Sequence, residues 1–231
     1  MKKRILYQNE ACMIINKLPG ESSEFPEVER EGEDGKFPVP VHRLDVPVSG
    51  CLLLARFKEA ATYLGAMFSC EDTYIQKHYW AIVESSPEAD SLPAEGELVH
   101  WLYENERTNK SLVLPLDAEP PSRRRIRERP KKAILRYRLV GKGDHYLFLD
   151  INLVTGRHHQ IRAQLAAVGL HIKGDLKYGA KRSEKDGGIR LHAYSLVFPN
   201  PLLTNRKIKV KALPPVMDPL WKAFKAAIEI N

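Results

Sequence analysis

Short apolar runs, separated by turn formers and seldom by long helical periods, constrain this chain's fold more than any other feature. Ala11–Asn16, Cys51–Arg56, Tyr79–Val83, Ala133–Val140, Tyr146–Leu153, Leu191–Phe198 and Ile208–Ala212 are rich in β-branched or aromatic residues and read as strands. Helical spacing is confined to three places. Lys58–Phe68 puts Ala61, Leu64 and Phe68 on one face. His159–Val168 forms a stripe of Ile161, Leu165 and Val168, with Gly169 as its stop. Asp218 is placed to cap a closing helix through Ile228, with Pro219 at its first position. Strands outnumber helices and do not alternate with them regularly, which favours α+β over a doubly wound sheet. The 231 residues suffice for a substantial core, and a single domain spanning 1–231 is expected.

One segment stands apart from packing. His42-Arg43-Leu44-Asp45 is followed by Ser49-Gly50 and the apolar run Cys51-Leu52-Leu53-Leu54-Ala55. A solvated turn takes Asp readily, but it has no need of a basic pair before it and a buried run after it. The pattern places a carboxylate at a strand edge, where loops on a rigid scaffold often carry chemistry.

The formal net charge is +7 and the pI about 9.2, which favours polyanionic partners. The charge is unevenly spread. From Glu21 to Asp34 seven acids face Arg30, a local −6; from Pro121 to Lys132 seven bases face Glu128, a local +6. These blocks cancel, so the rest of the chain carries the whole +7. Both contain Pro or Gly without periodicity and read as loops. The acidic loop should point away from a polyanion, and the basic loop toward it.

No stretch approaches the ~20 apolar residues of a membrane-spanning helix, so no membrane partner is expected. Met1-Lys2-Lys3-Arg4 is basic, but Gln8, Asn9 and Glu10 interrupt any signal-peptide core, and the early acids argue against a transit peptide. Cys12, Cys51 and Cys70 are widely spaced and odd in number, as expected of reduced thiols in a cytoplasmic protein. His158-His159 invites a metal reading, but adjacent helical residues point about 100° apart and no third ligand lies at zinc spacing, so no metal is expected.

Further segments extend the Asp45 motif. Val154-Thr155-Gly156-Arg157-His158-His159-Gln160-Ile161-Arg162 continues into Gly169-Leu170-His171-Ile172-Lys173-Gly174-Asp175 and Tyr178-Gly179. Between the two lies Lys77-His78-Tyr79-Trp80-Ala81-Ile82-Val83. Together they resemble the signature motifs of the RluA-type pseudouridine synthases: HRLDxxTSGLLL, KxYxAxV and TGRxHQIR…GxPIxGDxxYG. The start, Ile5–Glu10 with Ile15–Gly20, resembles the family's opening strand pair, and Leu191–Pro201 its closing LHAxxLxFxHP segment. The resemblance covers nearly the whole chain in the family's order.

The resemblance implies a mixed, largely antiparallel sheet flanked by helices and an enzyme that isomerises uridine in ribosomal or transfer RNA. It implies a catalytic domain alone, without the small RNA-binding domain that many relatives carry in front. The reaction breaks a glycosidic carbon–nitrogen bond, turns the uracil and rejoins the sugar at carbon 5, so no cofactor is expected. It needs an ionised carboxylate aimed at the sugar. A free aspartate, with a pKa near ~3.9, is already ionised at neutral pH, but burial opposes the charge and calls for a nearby cation. The family pattern assigns Asp45 as that carboxylate and Arg162 as its ion-pair partner. Attack on the anomeric carbon and removal of the 2′ proton both need Asp45 in the same place. Tyr79 is assigned to stack on the uracil, its hydroxyl helping to remove the carbon 5 proton. Because the target must leave its stack, Arg43 is a candidate for the vacated space, and His42 for orienting the loop or contacting a phosphate. Arg157 is counted with the RNA-contacting residues, and His159 and Gln160 are assigned to hydrogen bonding around the Asp45 loop or the RNA. Arg123, Arg124 and Arg125 in the basic loop are assigned to the RNA backbone, and a monomer is expected.

Departures from the pattern are few. Leu18 stands where proline is usual, Cys51 where leucine is, and Val48 where threonine is, a lost hydroxyl for which Ser49 is the candidate substitute. The main rival is a non-catalytic RNA-binding protein that kept the fold; the intact Asp45, Tyr79 and Arg162 count against it. A phosphotransfer enzyme is disfavoured because Leu44 breaks H-R-D and no G-x-G-x-x-G loop or DFG segment exists.

Overall fold

An apolar strand without alternation must be covered on both faces, and the computed structural model covers Cys51–Ala55 on both. It describes residues 4–26, 28, 35–69, 75–118, 129–203 and 206–230. Along the chain run β1 (Ile5–Gln8), β2 (Cys12–Lys17), β3 (Val39–Pro40), β4 (Ser49–Ala55), α1 (Lys58–Ser69), β5 (Gln76–Glu84) and α2 (Pro87–Asp90). There follow β6 (Glu95–Asn105), β7 (Lys110–Leu114), β8 (Lys131–Lys142), β9 (Tyr146–Leu153), α3 (Gln160–Ala167), β10 (Leu191–Pro199), β11 (Lys207–Lys211) and α4 (Pro219–Ile230). The strands form one sheet in the order β1-β2-β4-β10-β5-β9-β8-β6-β7, with β3 beside β4 and β11 beside β10. Among the described pairings only β4 with β10 is parallel, so the sheet is mixed and largely antiparallel and the fold α+β, as expected.

Alternation sorts the side chains. Tyr79, Ala81 and Val83 of β5 join Leu52 and Leu54 of β4 on the face that α3 covers with Ile161 and Leu165. On the other face, Cys51 and Leu53 of β4 pack with Ala60 and Leu64 of α1, and Trp80 and Ile82 of β5 with Trp221 and Phe224 of α4. Asp218 caps α4 as expected, its Oδ1 accepting the N–H of Trp221 at 3.0 Å.

The parallel joint depends on one glycine. Gly50 has φ +120°, and a Cβ there would sit 2.3 Å from the Ala193 carbonyl oxygen. Only glycine lets β4 start so close to β10, which draws the Asp45 loop into the middle of the sheet.

The hairpin of β6 and β7 is absent from the strands that the sequence marks. Leu98, Val99, Trp101 and Leu102 are mixed with Glu95, Glu97, His100 and Glu104 in no steady alternation, so no period marks the strand. Helix α3 starts at Gln160 rather than His159, because His159 takes a left-handed φ of 48° that no helix continues. Cys12 and Cys51 are buried free thiols, and Cys70 lies outside the described residues. No helix among the described residues is long and apolar enough to cross a membrane.

Leu53 is fully buried in the α1-facing core. Leu53→Ala should lower unfolding free energy by about 2–5 kcal/mol, read as a fall in the urea midpoint with an unchanged slope.

Candidate active site

Asp45 stands in the loop between β3 and β4, its carbonyl accepting the Val48 N–H at 2.9 Å. Three polar side chains hold that loop. Ser23 Oγ accepts the Leu44 N–H at 3.0 Å and donates to the Leu44 carbonyl at 2.8 Å. His42 Nε2 accepts the Leu53 N–H at 3.0 Å while its ring lies flat on Phe68, centroids 4.5 Å apart. Lys17, fully buried, donates from Nζ to the carbonyls of Leu18, Glu21 and Val46 at 2.9, 2.7 and 3.1 Å. All three ammonium donors are thereby used. Burial pulls the Lys17 pKa down to about 8, against the pull of the Glu21 and Asp45 carboxylates.

Arg162 projects from the first turn of α3 between two carboxylates. Its Nη1 donates to Asp45 Oδ2 at 2.9 Å. Its Nε and Nη2 donate to Asp175 Oδ2 and Oδ1 at 2.6 and 2.8 Å, a two-pronged grip. The guanidinium also lies 5.0 Å from the centre of the Tyr178 ring. Burial alone would weaken the charge of Arg162, but Asp175 and then Asp45 outweigh it and raise its pKa. Exposure rises along the chain of charges: Asp175 1 %, Arg162 5 %, Asp45 19 %. Only the last carboxylate reaches open space.

That space is a cavity of about 310 Å³ that brings Asp45, Tyr79 and Arg162 together, with His42, Arg43, Arg157, His159 and Gln160 on the same walls. Tyr79 enters from β5 with its ring nearly buried. Burial first, then the Asp45 charge, raises its pKa, so it is a phenol and not a phenolate at neutral pH. Lys77, two residues before it and on the same face, also lines the cavity, its pKa lowered by burial and then by Arg157. Arg43 is exposed at the mouth, and Arg157 is anchored by its Nε to the Lys132 carbonyl at 3.0 Å.

The geometry narrows several of these assignments. His42 is neutral, its pKa pulled to about 3 by burial and then by Lys77, and its acceptor nitrogen is spent on Leu53. It orients the loop and offers no cation to a phosphate. His159 is also neutral, pulled to about 3 by burial and then by Arg162. Its Nδ1 faces the Tyr178 hydroxyl at 3.0 Å and its Nε2 faces Asp45 Oδ2 at 3.7 Å. It therefore belongs to the Asp45 surroundings. Gln160 spends its amide within the protein: its oxygen accepts from Thr155 Oγ1 and the Arg157 N–H, and its nitrogen donates to the Ile134 carbonyl and Gln164. Ser49 does not replace the lost threonine hydroxyl, because it bonds His192 Nδ1 at 2.8 Å, away from the loop. His158 and His159 are stacked at 3.8 Å instead of splayed, since both precede the helix. Arg123, Arg124 and Arg125 lie outside the described residues.

Asp175, Tyr178 and Lys17 are functional neighbours that the sequence does not single out. The first two stand in the Gly174-Asp175 and Tyr178-Gly179 pieces of the downstream motif, and membership of that motif is the signal that could have found them. Lys17 is a lysine at the end of an apolar strand, and nothing in its neighbours marks it as buried.

The family model for RNA pseudouridylate synthases matches residues 10–167. An uncharacterized RNA pseudouridine synthase of Zymomonas mobilis is 32% identical over 97% of this chain and 96% of its own. A ribosomal large subunit pseudouridine synthase C of Vibrio cholerae is 28% identical over 90% of this chain, which spans 64% of that protein. Among solved structures, human RNA pseudouridylate synthase domain containing 4 superposes with a TM-score of 0.73 at 21% identity, over 99% of this chain and 92% of the other, a likeness of fold.

Arg162→Met strands two carboxylates, one of them buried, and should cost about 3–5 kcal/mol of stability in urea unfolding at neutral pH. His42 makes a second expectation. Its folded pKa of about 3 lies below the ~6.5 of an unfolded histidine, so on acidification the unfolded chain takes up a proton that the folded chain refuses. Its contribution is complete above about pH 6.5 and is lost as pH falls toward 3. His42→Gln, which keeps an acceptor for Leu53, should flatten the decline of unfolding free energy between neutral and acidic pH.

Proposed function

The chain belongs to the RNA pseudouridylate synthase family, and from that membership we propose that Asp45 is the carboxylate with which it turns uridine into pseudouridine. The observation that carries the assignment is the Asp45–Arg162–Asp175 arrangement at the floor of the cavity. Arg162 holds Asp45 in an ion pair without neutralising the site, because its own charge is shared with Asp175. The uridine enters the cavity sugar-first toward Asp45, with the uracil against Tyr79. The bond from N1 to the anomeric carbon breaks and the bond from carbon 5 forms; carbon 5 releases a proton and N1 takes one up. Tyr79 stays protonated at neutral pH, so it supports the base by stacking, worth ~1–3 kcal/mol, and can take the carbon 5 proton only by passing on its own.

Arg43 at the mouth occupies the place the base vacates, and Arg157 receives the backbone. Arg123, Arg124 and Arg125 supply further phosphate contacts. The substrate is structured ribosomal or transfer RNA, met in the cytoplasm by a monomer. Residues 1–231 act as one catalytic domain, a reading supported by the unbroken sheet from β1 to β7.

Tritium release from RNA labelled at carbon 5 of uridine tests this on bulk ribosomal and transfer RNA. Wild type should release tritium from one pool, Asp45→Asn from neither, and Tyr79→Phe should bind RNA like wild type with slower release. Release that survives Asp45→Asn sinks the assignment. Binding without release by wild type points to the non-catalytic reading.

A further inference from the structure

A second cavity, of about 160 Å³, lies against the catalytic one and shares Gly156, Arg157 and His158 with it. Only the turn between β9 and α3 separates the two. The other walls carry Glu104 of β6, and Arg129 and Lys131 at the entry to β8. A water in the liquid occupies ~30 Å³, so this space has room for about five, the scale of a phosphodiester and part of its sugar. The catalytic cavity, at about 310 Å³, is nearly twice as large.

The chemistry of the walls selects an anion. Among the described residues the walls carry Arg129, Lys131 and Arg157 with one carboxylate, Glu104, whose Oε1 lies 3.6 Å from His158 Nε2. The shared turn is held on both flanks. Arg157 Nε is tied to the Lys132 carbonyl at 3.0 Å, and His158 Nδ1 lies 3.0 Å from the Ser111 hydroxyl on β7. Gly156, exposed and without a side chain, makes the low point of the ridge between the cavities.

We propose that this second cavity seats the phosphodiester next to the target uridine. The strand leaves the catalytic cavity over Gly156 and passes between Arg157 and the Arg129–Lys131 pair. The inference rests on the catalytic cavity being a uridine site, but its anion-binding content is separable.

The probe is decauridylate carrying a 5′ fluorophore, bound to the full chain across a roughly tenfold range of potassium chloride and followed by anisotropy. On single strands the logarithmic salt slope falls by ~0.7 for each phosphate that the protein no longer neutralises. Arg129→Gln with Lys131→Gln, both at exposed positions, should lower the slope by about 0.7, one phosphate's worth. Lys209→Gln with Lys211→Gln removes the same charge from the opposite face, where Lys211 lies over Tyr194 and Tyr194 stacks on Trp80. That pair should leave the slope at its wild-type value. An unchanged slope in the first pair, an equal change in the second, or no binding of the probe by wild type overturns the proposal. Failure of the isomerase reading looks different: no tritium release from RNA by wild type, with the slope still sensitive to Arg129 and Lys131.

Discussion

Arg162 carries one positive charge between two carboxylates that arrive from different parts of the chain, and the rest of the site is arranged around that fact. Asp175 grips it through two nitrogens in a place water does not reach, leaving one nitrogen for Asp45. A lone buried arginine would be costly, and so would either carboxylate by itself. Two carboxylates share the one guanidinium, and Asp45 is the member nearest the cavity. The neighbouring rings add no competing positive charge, since burial keeps His42 and His159 neutral.

The scaffold explains why Asp45 is held where Arg162 can reach it. Lys17, Ser23 and His42 each satisfy backbone groups of its loop or of the strand beside it, and each is a side chain from a different segment. Lys17 is the costly member, a wholly buried ammonium kept by three carbonyls. Such a loop is fixed by hydrogen bonds more than by apolar contact, which leaves its cavity side free for a polar substrate.

What can be read from the sequence follows from how strongly each residue announces its surroundings. Strands with an unbroken apolar run, such as Leu52–Leu54 and Leu147–Leu149, are legible because burial on both faces leaves no room for charge. The β6–β7 hairpin is not, since one partly exposed face mixes acids with its apolar residues. Asp45, Tyr79 and Arg162 are legible as motif members, and the structure brings them to one cavity. The second grip on Arg162 is not, because nothing local to Asp175 shows that a turn returns it to α3. Likewise His159 is helical by spacing, and only its left-handed backbone sets it before the helix and against Tyr178.

The parallel joint of β4 with β10 has a bearing on how the molecule comes into being. It unites strands from opposite ends of the chain, as the ion pair of Asp45 with Arg162 unites residues 117 apart. Contacts this distant form late in folding, because the loops they close must first lose their freedom. A nascent or partly folded chain therefore exposes its basic segments before Asp45 and Arg162 are paired. The cavity is complete only when β4 and β10, neighbours in the middle of the sheet, have joined.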